Sequence, residues 1–207
     1  MIELKNVTKV LKKRTVLHQV SYQFHHGQVY GLYGPNGSGK TMILRAISGL
    51  IVPTDGEVII DGKILHKDIS FPPKTGLIIE HMELLPQYNA MKNLQLLADI
   101  NKTAVYNDIE ESLKRVALSS ELPVKKYSLG MKQRLNIAQA ILEKPDLILL
   151  DEPANALDED GTKMLHQVIQ EEKERGACII MATHNKSDLE TICDHVLKIM
   201  DGNLEEI

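Results

Sequence analysis

The sequence has few cysteines and no block of basic residues. Only two cysteines occur among its 207 residues, Cys178 and Cys193, and they form no C-x-x-C pair. Such sparse usage is typical of proteins from a reduced, cytosolic compartment. The formal net charge is −4, and a chain with neither a positive balance nor a Lys/Arg-rich block has no electrostatic attraction to nucleic acid. We therefore expect no nucleic-acid partner.

A long apolar run is also missing. No stretch approaches the roughly 20 apolar residues that a bilayer span requires, and the first residues do not resemble a signal peptide. Internal repeats and low-complexity segments are absent as well. The 43% hydrophobic content of the 207 residues is enough for one core. We expect a single cytoplasmic domain over residues 1–207, so any membrane process that it serves needs another chain in the lipid.

A glycine-rich segment at residues 34–41 fits the phosphate-loop pattern G-x-x-x-x-G-K-[ST]. The apolar run before it, residues 29–33, predicts a buried strand, and residues 42–47 predict a helix. In such a loop the backbone N–H groups and the positive end of the helix face a phosphate. Lys40 would reach the β- and γ-phosphates, and the Thr41 hydroxyl would ligate Mg²⁺. The sequence thus predicts a nucleoside triphosphate site formed by Gly34, Pro35, Asn36, Gly37, Ser38, Gly39, Lys40 and Thr41.

Three more polar residues follow predicted strands. Asp151 and Glu152 come directly after the apolar run at 147–150, and His184 follows the run at 178–182. Because the carboxyl ends of parallel strands meet at one edge of a sheet, we expect these side chains near the phosphate loop. Asp151 is suited to hold Mg²⁺, Glu152 to polarise an attacking water, and His184 to contact the γ-phosphate.

Strand and helix patterns alternate along the chain, which predicts an α/β fold with a mostly parallel central sheet. Alternating apolar residues at 2–7 and 16–24 predict an antiparallel N-terminal subdomain. Helical periodicity extends from about residue 91 to 117, with Val116 and Ala117 on the apolar face. This periodicity predicts a helical insertion at about residues 84–144. Further strands are expected at 57–60, 75–79 and 196–205, and further helices after Ser128 and at 160–175 and 186–193.

These segments resemble the ATP-binding cassette (ABC) family, specifically the ATPase subunits of membrane transporters. The resemblance extends from Ile2 to about Asp201 and implies the P-loop NTPase fold of this family. The matching motifs are the Walker A segment at 34–41, the Walker B segment at 147–151 with Glu152 as catalytic base, the D-loop at 155–158 and the switch histidine at His184.

A signature segment completes the resemblance at residues 127–134. The common form of this segment is L-S-G-G-Q. Ser128 and Gly130 match it, whereas Leu129 and Met131 depart from it.

The resemblance implies an ATPase that uses ATP and Mg²⁺. It also implies that two cassettes, identical or different, bind head to tail. Ser128 and Gly130 would then contact the γ-phosphate held by the partner's Lys40. A separate integral-membrane permease would carry the cargo, with the cassette on the inner face of the cell membrane.

Two further departures from the family's pattern concern the base and the Q-loop. Where the family has an aromatic residue that stacks on adenine, this chain has Leu11, so adenine would meet an apolar wall of Leu11 and Val16. The Q-loop glutamine is replaced by Glu80, which can still reach Mg²⁺ or the attacking water. Glu80 and the altered signature resemble the subgroup that exports lantibiotics and bacitracin-type peptide antibiotics for self-protection.

Two alternatives remain at this stage. Residues 185–188 match the N-K-x-D motif with which GTPases read guanine. The accompanying D-x-x-G motif, however, begins only at Asp158, well after the strand end at Asp151. A cassette ATPase for another cargo or for a process other than transport is the second alternative, although those proteins usually carry long coiled coils or two cassettes in one chain.

Overall fold

The computed structural model describes residues 1–79, 83–119 and 121–207. In these segments the strands are β1 (Ile2–Leu11), β2 (Arg14–Phe24), β3 (Val29–Tyr33), β4 (Asp55–Ile60), β5 (Lys63–Ile64), β6 (Thr75–Ile78), β7 (Leu147–Asp151), β8 (Cys178–Thr183), β9 (His195–Met200) and β10 (Asn203–Glu206). The helices are α1 (Lys40–Ile47), α2 (Ala90–Asn101), α3 (Tyr106–Arg115), α4 (Leu129–Ile141), α5 (Glu159–Glu174) and α6 (Lys186–Ile192).

The strands form two sheets. One has the order β2-β1-β4-β5 and is antiparallel. The other has the order β10-β9-β3-β8-β7-β6 and is parallel except for the β9–β10 ribbon. This arrangement confirms the predicted α/β class, with a mostly parallel central sheet and an antiparallel N-terminal sheet.

The central strands are buried on both faces, as expected for parallel strands covered by helices and a second sheet. Leu147 and Leu149 of β7 pack into a cluster with α1 and the antiparallel sheet. Ile148 and Leu150 pack on the opposite face against residues of α2, α4 and α5. Each such side chain stabilises the fold by about 1.5–3 kcal/mol when fully buried. No helix in the described ranges is both long enough and apolar enough to cross a membrane.

The stretch with helical periodicity from about 91 to 117 forms two helices, α2 and α3, with a break that the periodicity did not predict. α2 ends where Lys102 takes a left-handed conformation with a φ of 57°, a common way of closing a helix. α3 starts after Val105, whose backbone N–H donates to the Asp108 side chain at 2.9 Å. This hydrogen bond at the start of α3 replaces the backbone hydrogen bond that Val105 would have made if α2 had continued.

Two smaller expectations also differ from the structure. Ala117, expected on the buried face of the helix, has a φ of 50° and is exposed, because α3 has already ended. Leu118 takes the buried position instead. The short strand β5, which pairs with β4 after the turn at Asp61 and Gly62, was not predicted. Two residues give too little pattern to indicate a strand.

Candidate active site

The phosphate loop connects β3 to α1 and turns sharply through glycine. Gly37 and Gly39 have φ values of 78° and 117°, conformations that residues with a side chain adopt only with strain. A Cβ on Gly34 would lie 2.2 Å from the carbonyl oxygen of Ile199 on β9, so only glycine fits there. Ser38 Oγ is buried and has no hydrogen-bond partner among the described residues. The loop therefore has the tight curl that brings N–H groups to one point, with an unpaired hydroxyl inside it.

Lys40 is the first residue of α1, and its side chain folds back over the loop. Only 6% of the residue is exposed. Its Nζ donates to the carbonyl oxygen of Gly34 at 2.7 Å and to that of Pro35 at 3.3 Å. A charged amine bound to neutral carbonyls would gain from contact with a phosphate, because charge-assisted hydrogen bonds are stronger than those to neutral groups.

Thr41 and Asp151 bring two oxygen ligands together. The Thr41 hydroxyl donates to Asp151 Oδ2 at 2.7 Å, which links the start of α1 to the end of β7. Hydroxyl and carboxylate oxygens are the hard ligands that Mg²⁺ prefers, and this ion usually takes its other ligands from phosphate and water. The residues described contain no group of three or more His, Cys, Asp or Glu that could hold a metal alone. The donor set thus fits Mg²⁺ bound together with a nucleotide.

Glu152 and His184 form a hydrogen-bonded pair. His184 Nδ1 lies 2.8 Å from Glu152 Oε2. Glu152 has a φ of 50°, a left-handed conformation that costs about 1–2 kcal/mol for a residue with a side chain. Its backbone N–H donates to the Ala182 carbonyl of β8 at 2.8 Å. Backbone strain of this kind is concentrated at functional sites, where the surrounding contacts hold it in place.

Lys40, Thr41, Asp151 and Glu152 border a cavity of about 350 Å³ at the carboxyl edge of the sheet, and His184 lies beside it through its bond to Glu152. Val16 lines this cavity, whereas Leu11 does not; Leu11 lies 41% exposed at the end of the β1–β2 hairpin. Glu80, predicted to act beside the nucleotide, lies outside the described residues. The lining residues are Val16, Asn36, Gly37, Gly39, Lys40, Thr41, Met42, Asp151 and Glu152.

Ser128 and Gly130 lie at the start of α4. The exposed Ser128 caps this helix, since its Oγ accepts from the N–H of Met131 at 3.2 Å. Neither Ser128 nor Gly130 lines the cavity within the described part of the chain. A single chain therefore does not bring the signature segment to its own Lys40.

Gln133 makes a contact beside Glu152 that the sequence did not predict. Its Nε2 donates to the carbonyl oxygen of Pro153, directly after Glu152, at 2.8 Å. Asn136, one turn further along α4, donates to Gln133 Oε1 at 3.4 Å. The position of Gln133 within the signature segment at residues 127–134 is the sequence signal that points to it.

The guanine-reading alternative does not fit the structure. Asp188, the aspartate of the N-K-x-D match, is 2% exposed. Its Oδ1 lies 3.1 Å from Nε2 of His166 on α5. A buried carboxylate that bonds a neighbouring helix does not face a base in the cavity, and this position contradicts the GTPase interpretation.

Comparison with known proteins gives a consistent result. The sequence model of one family, described as ABC transporter, matches residues 17–155, more than half of the chain. An uncharacterised ABC transporter ATP-binding protein of Bacillus subtilis (strain 168), YybJ, is 58% identical over 207 residues, covering 99% of this chain and 95% of that protein. The lantibiotic transport ATP-binding protein SrtF of Streptococcus pyogenes is 35% identical, with 99% and 89% covered. The bacitracin transport ATP-binding protein BcrA of Bacillus licheniformis is 37% identical, with 100% and 69% covered.

Solved structures show the same similarity. The dimeric structure of MJ0796, a bacterial ABC transporter cassette, matches with a TM-score of 0.89 at 29% identity, covering 99% of this chain and 97% of that one. A dimeric post-hydrolysis state of MJ0796 bound to ADP and Pi matches with a TM-score of 0.87 at 26% identity, with 100% and 98% covered.

Proposed function

This chain belongs to the ABC transporter family and is an ATPase, and we propose that it energises the export of a peptide antibiotic through a separate membrane permease. One observation carries the catalytic part of the proposal. Lys40, Thr41, Asp151 and Glu152 border a single cavity, and His184 hydrogen-bonds to Glu152 beside it. Lys40 can bind phosphate, and Thr41 and Asp151 supply two oxygen ligands for a metal ion. Glu152 is a carboxylate that His184 holds in position.

Each group receives a role in hydrolysis. The N–H groups of residues 34–41 and the Lys40 amine hold the β- and γ-phosphates. Water attacks the γ-phosphorus, the bond to the bridging oxygen breaks, and ADP and phosphate form. Glu152 accepts the proton of the attacking water, and His184 keeps the carboxylate in position through its Nδ1 hydrogen bond.

We assign the Mg²⁺ ligands to Thr41 and Asp151, with Glu80 as a further oxygen ligand. When bound, the ion neutralises charge on the β- and γ-phosphate oxygens. The buried hydroxyl of Ser38, which has no partner among the described residues, supports the nucleotide assignment because it can donate to a phosphate oxygen.

The base is held without an aromatic residue in this proposal. Val16 supplies an apolar wall at the cavity, and the proposed role of Leu11 is to contact the base from the exposed end of the β1–β2 hairpin. Leu11→Tyr is expected to bind ATP at least about fivefold more tightly, because stacking on an aromatic ring is worth about 1–3 kcal/mol per base. The parent chain should discriminate only weakly between ATP and GTP. Titration of both nucleotides by calorimetry measures these affinities.

Val10→Tyr is the matched control for that substitution. Val10 is 38% exposed on the same strand, and its side chain points to the opposite face because successive strand residues alternate. An ATP affinity that rises equally for both variants, or for neither, would exclude Leu11 from the base site.

We propose that a second cassette binds to the face of this chain that holds the nucleotide. Ser128 begins α4, so the helix offers N–H groups and its positive end to an anion. We propose that this end contacts the γ-phosphate held by the partner's Lys40. The dimeric structures of MJ0796 support such an arrangement.

The permease is proposed to bind beside the Q-loop and the helical insertion. In the described part of this segment, Leu84 packs against the core, whereas Leu85 is 41% exposed and Tyr88 is 39% exposed. Exposed apolar side chains close to acidic Glu83 suit an amphipathic helix of a membrane partner. The cassette would then lie on the cytoplasmic face of the membrane.

The proposed cargo is an amphipathic peptide antibiotic, expelled to protect the producing cell. The Glu80 position and the altered signature motivate this choice, and SrtF and BcrA, named for lantibiotic and bacitracin transport, support it. Export for self-protection predicts a phenotype in the host.

Deleting the chain is expected to sensitise its host to a cationic peptide antibiotic while sugar and amino-acid uptake stay normal. Reintroduced Lys40→Ala should not restore resistance, because the γ-phosphate loses its cationic ligand. Lys163→Ala, which removes an exposed lysine of α5, should restore it fully. Growth at graded peptide concentrations measures the effect. Unchanged peptide sensitivity together with lost nutrient uptake would contradict the export proposal and leave the ATPase in place.

A further inference from the structure

The first two turns of α4 contact the turn that follows Glu152. The contacting residues of α4 lie at spacings of three and four, so they share one face of the helix. A Cβ on Gly130 would lie 3.0 Å from the Ala156 carbonyl oxygen, Gln133 Nε2 donates to the Pro153 carbonyl at 2.8 Å, and Arg134 Nη2 lies 3.6 Å from Asp158 Oδ1.

Gln133 donates a direct hydrogen bond from this face of α4 to the carbonyl of Pro153, the residue after Glu152. It is half-buried, and the Pro153 that it contacts is buried. Asn136 donates to Gln133 Oε1, which orients the amide so that its NH₂ group faces Pro153. Asn136 itself is 8% exposed, so this pair is partly shielded from water.

The carbonyl that Gln133 contacts belongs to the residue directly after Glu152. The Glu152 N–H is fixed to Ala182, and its carbonyl accepts from the N–H of Asn155 at 3.1 Å. Glu152 holds a strained left-handed conformation between these bonds. The hydrogen bond from Gln133 fixes the next residue, Pro153, so the backbone on both sides of the Glu152 side chain is held in place.

We propose that Gln133 is a positioning residue that couples the Ser128 end of α4 to Glu152. The two residues Ser128 and Gln133 are separated by about 7.5 Å along one rigid helix. This inference rests on the proposed function, in which Ser128 contacts the γ-phosphate held by the partner's Lys40 while Glu152 acts on the nucleotide of its own chain. Binding of ATP at one site then places the catalytic carboxylate of the other, and hydrolysis is cooperative.

Gln133→Met tests the coupling, because methionine keeps the length and helix propensity of glutamine but donates no hydrogen bond. Steady-state hydrolysis over a range of ATP concentrations is expected to show a Hill coefficient of about 2 for the parent, the number of coupled sites, and of about 1 for the variant. The maximal rate should fall about tenfold. The melting temperature and the ATP affinity of the isolated chain should not change.

Two further variants separate positioning from stability. Gln139→Met changes the same residue type on the same helix, where it is half-buried and faces β6, and should behave as the parent. Gln133→Lys retains a donor for the Pro153 carbonyl and should keep the cooperativity.

Three results would overturn the coupling. The first is a Hill coefficient of Gln133→Met equal to that of Gln139→Met, and the second is a rate loss explained by a lower melting temperature with cooperativity intact. The third is a parent Hill coefficient of about 1. A parent chain that hydrolyses no ATP would overturn the proposed function as well, and this outcome is distinct from the other three.

Discussion

Glu152→Gln is expected to bind ATP as the parent does and to hydrolyse it about 10²–10⁴-fold more slowly, the usual contribution of a general base. The amide keeps the size of the carboxylate and its place next to His184, but it cannot accept the proton of the attacking water. Phosphate release under saturating ATP measures the rate, and equilibrium titration with ATP measures the affinity.

Glu159→Gln is the matched control for this change. Glu159 begins α5 and its side chain is 85% exposed, so neutralising it alters the net charge of the chain without altering the cavity. We expect parent rates from this variant. Hydrolysis by Glu152→Gln at the parent rate would remove Glu152 from the mechanism.

Ser128→Arg is expected to abolish most hydrolysis, by about 10²–10³-fold, which is the loss seen when a donor aimed at developing charge is removed. An arginine at the start of α4 fills the space in front of the helix N-terminus and prevents a second chain from docking there. The phosphate loop is unaffected, so a single chain should still bind ATP. Loss of the serine cap lowers the free energy of unfolding by about 1 kcal/mol. The melting temperature of the variant measures this loss of stability separately from the loss of hydrolysis.

Ser119→Arg provides the comparison, because Ser119 is exposed and contributes no contact to the cavity of the described structure. This variant should hydrolyse ATP normally. Undiminished turnover by Ser128→Arg, measured on a fraction that is strictly monomeric, would show that the chain works alone and would contradict the head-to-tail site.

The sequence predicted that the site residues lie together at the carboxyl edge of the sheet, because a local pattern determines the position of each one. The glycine-rich loop lies between a strand and a helix, and Asp151 and His184 directly follow buried strands. Once the strands are parallel, their carboxyl ends share an edge, and no long-range information is needed. The α/β class follows from the same alternation of strands and helices.

Contacts between distant segments could not be predicted in this way. The bond from Gln133 to Pro153 depends on how the first turns of α4 pack against the turn that follows β7, which no periodicity encodes. The same limit applies to Glu152 and His184, whose hydrogen bond depends on the left-handed backbone at Glu152. The break between α2 and α3 was not predicted, although residues 101–103 are all polar and interrupt the apolar spacing where Lys102 closes α2.

We propose that ATP is held between the phosphate loop of one chain and Ser128 of another, and that Glu152 hydrolyses it. The decisive measurement is the molar mass of purified Glu152→Gln, determined by light scattering during size-exclusion chromatography in ATP and then in ADP. We predict two chains with two bound nucleotides in ATP, and one chain in ADP. A single chain at saturating ATP would contradict the claim.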